Sequence, residues 1–156
     1  MESLLTALRR TLPFGLLAGA GATLAIAAME QAAAMAGRPL GLIPFVTSIV
    51  LVLSLPDAAP ARPRALIGGH LVASLAGYAV LSVAGHSSLA IAISVGLSAF
   101  LMHVTRTMHP PVGIDPLLIV DQQLGFDFLV LVVLPGALAL AAFASLWHRL
   151  GRRLSG

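Results

Sequence analysis

Apolar residues fall into six runs along the 156-residue chain, roughly Phe14–Ala36, Leu42–Leu55, Ala65–Ala84, Leu89–Val104, Val112–Val120 and Phe126–Trp147. Polar, Gly- or Pro-bearing breaks divide them. A helix that crosses a bilayer needs about 20 predominantly apolar residues. The first, third and sixth runs meet that length and the fourth nearly does. The second, of about 14 residues, and the fifth, of about 9, are too short to cross as straight helices. Each short run has a proline-marked start: Pro39 and Pro44 for one, Pro110 and Pro111 for the other. The pattern predicts an all-α polytopic membrane protein without a soluble domain or long linker, containing two short, Pro-broken half-helices. Leu4, Leu5, Leu8 and Leu12, at helical spacing, predict a short interfacial helix ahead of the first span.

The order of runs repeats. Long, short with a proline start, long describes residues about 14–84, and then again about 89–147. Matching short or Pro-interrupted segments in two halves point to a binding site between repeats. Arginine placement separates two topologies. If the short segments cross, Arg9, Arg10, Arg62, Arg64, Arg106, Arg149, Arg152 and Arg153 share one side and Arg38 alone opposes them. If both short segments re-enter and four helices span, Arg62, Arg64 and Arg106 move across to join Arg38. The positive-inside rule prefers the first arrangement. It gives six crossings as a 3+3 inverted repeat within a single transmembrane domain over 1–156, with both termini cytoplasmic in a cell (inner) membrane. Four spans plus two re-entrant segments is the alternative.

Composition agrees. The chain is 58% hydrophobic and 10% charged, with a mean hydropathy of +0.99, far outside the range of soluble domains. Its formal charge of +3 comes from Arg alone. These arginines flank apolar runs instead of forming a patch, so membrane anchoring explains them and no nucleic-acid partner is expected. The absence of Cys excludes disulfides, iron–sulfur clusters and thiol catalysis. Arg9-Arg10 resembles a signal-peptide n-region, but the apolar run after it is too long and further spans follow, so it reads as the anchor of the first helix. Gly15 with Gly19, Ser94 with Ser98, and Gly68, Gly69 and Gly77 are small faces for close helix contact within the chain or across a dimer. So short a bundle barely encloses a cavity, and a homo-oligomer is expected.

Candidate chemistry concentrates in the break between the fourth and fifth runs, Thr105-Arg106-Thr107-Met108-His109-Pro110-Pro111-Val112-Gly113-Ile114-Asp115-Pro116. Three prolines here cannot continue a regular helix. Broken backbone at membrane depth is tolerated only where protein or a water-filled cavity satisfies it. An ionisable His109 and Asp115 inside the break make it a functional-site candidate. A short helix starting within the membrane points its N-terminal amides and positive dipole end at the cavity, which suits an anion. Pro44–Ser48 and Pro110–Gly113 predict two such ends facing each other. Thr47, Ser48 and the amides of Val112, Gly113 and Ile114 are the expected donors, and Gly113 permits close backbone approach. The competing structural reading is that these prolines simply end or kink helices.

His109 can bind an anion as imidazolium or relay a proton, or else satisfy a freed carbonyl as a neutral ring. A site formed by His70, His103 and His109 follows no recognised metal-ligand spacing, so no metal and no cofactor are expected. Asp115 costs about 2.5–3.5 kcal/mol at the centre of a bilayer and repels an anion at close range. It has three open roles: pairing with Arg106, capping the short helix, or taking up H⁺. Arg106 at the membrane edge is either an anion-access group or a snorkelling anchor. Glu30 lies toward the outer end of the first run, as a second candidate proton or gate residue. No hydrolase, metalloprotease or nucleotide-binding motif is present, and an enzyme is not expected.

Three ordered segments carry a family resemblance. His109-Pro110-Pro111-Val112-Gly113 followed by Pro116-Leu117-Leu118 resembles the signature of the HPP family of small integral membrane proteins. Pro44-Phe45-Val46-Thr47-Ser48 resembles that family's Pro-Phe-Gly-Ala-Ser segment. Pro63-Arg64-Ala65-Leu66-Ile67-Gly68-Gly69-His70 resembles its Pro-Arg…Gly-Gly-His segment. The resemblance implies a transporter, usually described as four-spanning, with nitrite as the substrate attached to some members. The candidate substrate-binding residues are Pro44, Phe45, Thr47, Ser48, His70, His109, Pro110, Pro111, Val112, Gly113, Ile114 and Asp115. This chain departs from the family pattern at Val46, Thr47 and Asp115, where the family commonly has Gly, Ala and a neutral residue. The expected function is a transporter or channel for a small, nitrite-like inorganic anion. The alternatives are H⁺- or cation-linked transport through Asp115 and Glu30, and a non-transporting membrane assembly subunit.

Overall fold

The computed structural model describes residues 4–37, 41 and 43–155. Arg38, Pro39 and Leu42, on which the topology and the second run partly rest, lie outside them, as do the side chains of Leu4, Leu5, Leu8, Arg10, Arg152 and Arg153. Among the described residues every regular element is helical. Helix α1 covers Leu4–Met35. A 3-10 turn at Ile43–Phe45 leads into α2, Val46–Ser54. Helices α3, Pro63–Ala84, and α4, Ser88–Thr105, form a hairpin. A second 3-10 turn at Pro110–Gly113 leads into α5, Ile114–Asp121. The last rod comprises α6, Phe126–Phe128, a π turn at Leu129–Val133, and α7, Leu134–Ser155.

Among the described residues four stretches are long and apolar enough to cross a membrane: Thr11–Met35, Pro63–Ala84, Ser88–Thr105 and Phe126–Gly151, with Ile43–Ser54 a shorter apolar helix. One expectation is corrected. No separate interfacial helix precedes the first span, because α1 runs unbroken from Leu4 through Pro13. A proline inside such a helix removes one donor, and the freed carbonyl belongs to Arg9, which is exposed and open to solvent.

Local chemistry sets the ends. Pro63 occupies the first turn of α3, where its missing N–H costs nothing. Gly85, at φ +63°, closes that helix. The Ser87 hydroxyl accepts from the Ala90 amide at 3.1 Å to open α4. Arg106 stops α4 in the left-handed region at φ +57°. There the Thr107 amide bonds back to the Met102 carbonyl at 2.9 Å and Arg64 donates to the Thr105 carbonyl at 3.3 Å. The π turn lies just before Pro135, whose ring cannot donate to the preceding turn.

Close approach at glycines fixes how α5 lies on α3. A Cβ at Gly68 would strike Thr107, one at Gly69 would strike His109, and one at Gly77 would lie 2.8 Å from the Pro116 Cα. Farther along, the Tyr78 hydroxyl donates to the Gly125 carbonyl at 2.7 Å, and His86 in the hairpin loop lies 3.8 Å from Asp121. The segment 107–121 therefore runs beside α3 in the same direction, from its N-terminal part to the α3–α4 loop. Helix α7 returns the opposite way. Phe45 packs against Gly136 near its start, and His148 near its end donates to the Val52 carbonyl at 2.9 Å, so α2 descends alongside it. Helix α1 is antiparallel to α7, with Gly21 under the Trp147 ring and Leu17 against Gly151. Trp147 stacks on Phe143 at 5.7 Å and packs on α1. The core, including Phe45, Ile49, Leu66, Ile119, Leu129 and Leu140, lies where α2, α3, α5 and α7 meet. A Cβ at Gly15 or Gly19 would meet open space, so that pair mediates no contact within the chain.

Gly77→Ala is expected to lower stability by about 1–3 kcal/mol, since the Pro116 backbone cannot swing aside. Gly15→Ala should cause no loss. Thermal unfolding of both variants in detergent checks the contrast.

Candidate functional site

Ser48, His70, Ser74, His109 and Asp115 are each 0% exposed, and they meet where the two proline-led turns approach α3. Each arrives for a separate reason. Ser48 is the third residue of α2, just past the Pro44 turn. His70 follows the two small residues of α3 that admit the Thr107–His109 strand of backbone. Ser74 lies one helical turn beyond His70, on the same face. His109 directly precedes the Pro110–Gly113 turn, and Asp115 is the second residue of α5.

The hydrogen bonds form one connected line. His109 Nδ1 lies 2.6 Å from the Pro60 carbonyl, which only accepts, so this nitrogen carries a proton. His109 Nε2 is 2.9 Å from Ser48 Oγ. Ser48 Oγ is 3.4 Å from His70 Nε2. His70 Nδ1 is 2.7 Å from Asp115 Oδ2, to which Ser74 Oγ also donates at 3.4 Å. The imidazole centroids lie 5.8 Å apart, and the Phe45 ring closes on His70 at 4.8 Å. Asp115 Oδ1 is buried with no hydrogen-bond partner. Buried polar groups are normally all satisfied, so this oxygen is a conspicuous exception.

Beside this line is an open, mostly apolar cavity of about 750 Å³, bounded by Ile43, Val46, Thr47 and Leu51 around the start of α2, Pro110, Pro111, Gly113 and Ile114 from the second turn and α5, and Pro60. The two turns thus meet, as the sequence pattern predicts. Gly113 leaves open space where a Cβ would stand. Other expected contacts are placed differently. Val112 is fully buried against Ala73 and Met102, and its amide bonds to the His109 carbonyl at 3.1 Å. The Ile114 amide turns toward the Val112 carbonyl. Both donors are therefore engaged within the turn. Pro44 and Phe45 are buried at the start of α2. Arg106 and His103 are exposed at the end of α4, away from the buried line, and Glu30 is exposed on α1. Two of the roles open for Asp115, pairing with Arg106 and capping α5, are not the ones the structure shows; its carboxyl reaches across to α3. No three His, Asp or Glu among the described residues come together as a metal site.

Sequence reasoning missed Ser74, the Pro60 carbonyl, and the connection Ser48–His70–Asp115. The first had a signal, since His70, Ser74 and Gly77 share one helical face. The other two had none, because they join residues 22, 45 and 49 positions apart.

Long apolar helices folded round a buried polar line, with two broken helices ending beside it, define a polytopic membrane protein. The chain belongs to the HPP family, whose transmembrane region matches residues 9–155. It is similar to two transmembrane proteins of Dictyostelium discoideum. One is 31% identical over 119 residues, covering 71% of this chain and 42% of the relative. The other is 29% identical over 117 residues, covering 70% and 38%. The chain thus spans about two fifths of the length of these relatives. No solved structure matches it.

His109→Ala orphans the Pro60 carbonyl and one bond of Ser48, and should cost about 1–3 kcal/mol for each buried group left unpaired. Ser74→Ala removes only a long bond and should cost less than about 1 kcal/mol. Denaturation midpoints of the two variants test that order.

Proposed function

We propose that this protein is a membrane transporter for a small inorganic anion of nitrite's class, taken up where the two proline-led turns meet. The observation that carries this reading is the shared cavity: the starts of α2 and α5, one from each half of the chain, both line it. Helix starts favour negative charge through their dipoles, the Thr47 hydroxyl can donate, and the open face of Gly113 lets a ligand reach backbone. His109 stands directly behind Pro110.

The same proposal includes six crossings. It is supported by the course of 107–121 along α3 toward His86 and by the descent of α2 along α7. In this arrangement α1–α2–α3 and α4–α5–α7 traverse in opposite senses as an inverted repeat, and Arg62, Arg64, Arg106 and Arg149 gather at one, cytoplasmic, end. Ile43, Val46 and Pro110 at the cavity are exposed, so a homo-oligomer that covers this opening belongs to the proposal.

One feature invites an enzymatic reading, since Ser48, His70 and Asp115 are linked in the order of a hydrolase triad. Transport is favoured because Ser48 is fully buried and its shorter bond goes to a second imidazole. A nucleophile needs access to an acyl carbon, and none is offered here.

Nitrite uptake into proteoliposomes should be saturable and exceed that of empty vesicles. His109→Ala should reduce it at least about tenfold, the effect of removing one positive charge close behind the cavity wall. Absence of uptake of nitrite and related anions by folded protein sinks the reading, and covalent labelling of Ser48 by a fluorophosphonate redirects it to hydrolysis.

A further inference from the structure

We propose that the line Asp115–His70–Ser48–His109 is the site of a coupled proton, which moves from His70 to His109 when an anion enters the cavity. This rests on the transport reading above and adds the coupling ion and its path.

The geometry supplies two complete hydrogen-bonding states. In the first, His70 is an imidazolium that donates from Nδ1 to Asp115 and from Nε2 to Ser48, while Ser48 donates to the bare Nε2 of His109. In the second, the Nε2–H bond of His70 breaks as a Ser48 O–H forms, and the original Ser48 O–H breaks as a His109 Nε2–H forms. His70 remains neutral and still donates Nδ1–H to Asp115, and His109 now carries the charge while keeping its Nδ1–H on the Pro60 carbonyl. One proton's worth of charge has moved between rings whose centroids are 5.8 Å apart, and no side chain has rotated. Every donor has an acceptor in both states.

The two ends of the line differ in what can stabilise the charge. At the inner end Asp115 does so permanently. At the outer end, Pro60 and Pro110 wall the cavity, so a bound anion lies on the His109 side. Opposite charges across a dry wall attract far more strongly than in water, so anion binding draws the proton outward, and loss of the anion returns it. Asp115 Oδ1, buried and without a hydrogen-bond partner, is the acceptor left open at that end of the line. Among the described residues no other charged group is bonded into the line. Around it, the α2 side contributes Ser48 and Phe45, and α3 adds Ser74 and, one turn on, Tyr78, which is bonded to Gly125. On α4, His103 faces outward, and on α7, His148 is held at the far end by the Val52 carbonyl.

The test uses the full chain in liposomes loaded with a pH-sensitive dye, with nitrite as the probe and empty vesicles subtracted to remove nitrous acid leakage. In parallel, ¹⁵N spectra of histidine-labelled protein in bilayers report which ring is protonated. Nitrite influx should carry about one proton per anion, so that a unit of inward pH gradient gives about tenfold accumulation. Addition of nitrite should shift the imidazolium signal from His70 to His109. Ser48→Ala should abolish both the proton influx and the signal exchange, and Ser48→Thr, which keeps the hydroxyl, should restore them. Nitrite influx without protons, or coupling that survives Ser48→Ala, overturns the relay and leaves the anion reading standing. If no anion moves, that reading falls by itself, and a pH titration of the spectra decides the relay. Two rings exchanging one proton in the wild type but not in Ser48→Ala support it, and independent titration in both overturns it.

Discussion

Placing a carboxyl group in the interior of an apolar bundle is tolerable only with a partner that answers it fully, and the 2.7 Å contact between Asp115 and His70 is that answer. Much of the architecture follows from making it. For the two side chains to meet, α5 must lie directly on α3, which requires the glycines at 68, 69 and 77 to present bare backbone. To place Asp115 at the level of His70, the chain must stop α4 at Arg106, travel extended past Gly69 and begin a new helix at Pro110. A continuous helix could not bring position 115 to this depth. The prolines are thus the means of delivering a polar residue to the middle of the fold.

The same contact explains why the turn before α2 carries Phe45 and Ser48. The aromatic ring covers the outer face of His70, and the serine satisfies its second nitrogen. A buried imidazole with only one nitrogen satisfied would forfeit about 1–3 kcal/mol. The line therefore extends until it reaches a group that needs no further partner, the Pro60 carbonyl.

How legible this was depended on range. The helices were readable because apolar runs and their proline breaks are local: all six are found, although α1 begins ten residues before its run and α7 ends eight residues after its own. The meeting of the Pro44 and Pro110 turns was readable from the repeated order of long and short runs. The continuity of α1 through Pro13 was not, because one missing donor at an exposed turn costs less than residue type alone suggests. Within the site, Thr47 and Gly113 line the cavity as expected, whereas the amides of Val112 and Ile114 are spent inside their own turn. A 3-10 turn uses donors that a helix start would leave free, and composition does not reveal which will form. The partner of Asp115, His70, was not among the roles expected for it, because that contact joins residues 45 apart.

Segment 107–121 is fastened at both ends and along its middle: by Arg64 at the Thr105 carbonyl, by Tyr78 at Gly125, and by His70 between. It has no freedom to slide as a separate half-helix. Helices α3, α4 and α5 consequently form one mechanical body, and α1, α2 and α7 pack against it mainly through hydrocarbon. Apolar faces can shear by small steps without losing a specific bond. The Ser48 and Pro60 bonds to the two histidines are the polar rivets across that seam, so any rocking of one body against the other cuts the line at Ser48. Under the proposed relay, motion and proton passage exclude one another, and a single serine would interlock the protein's shape with its wiring.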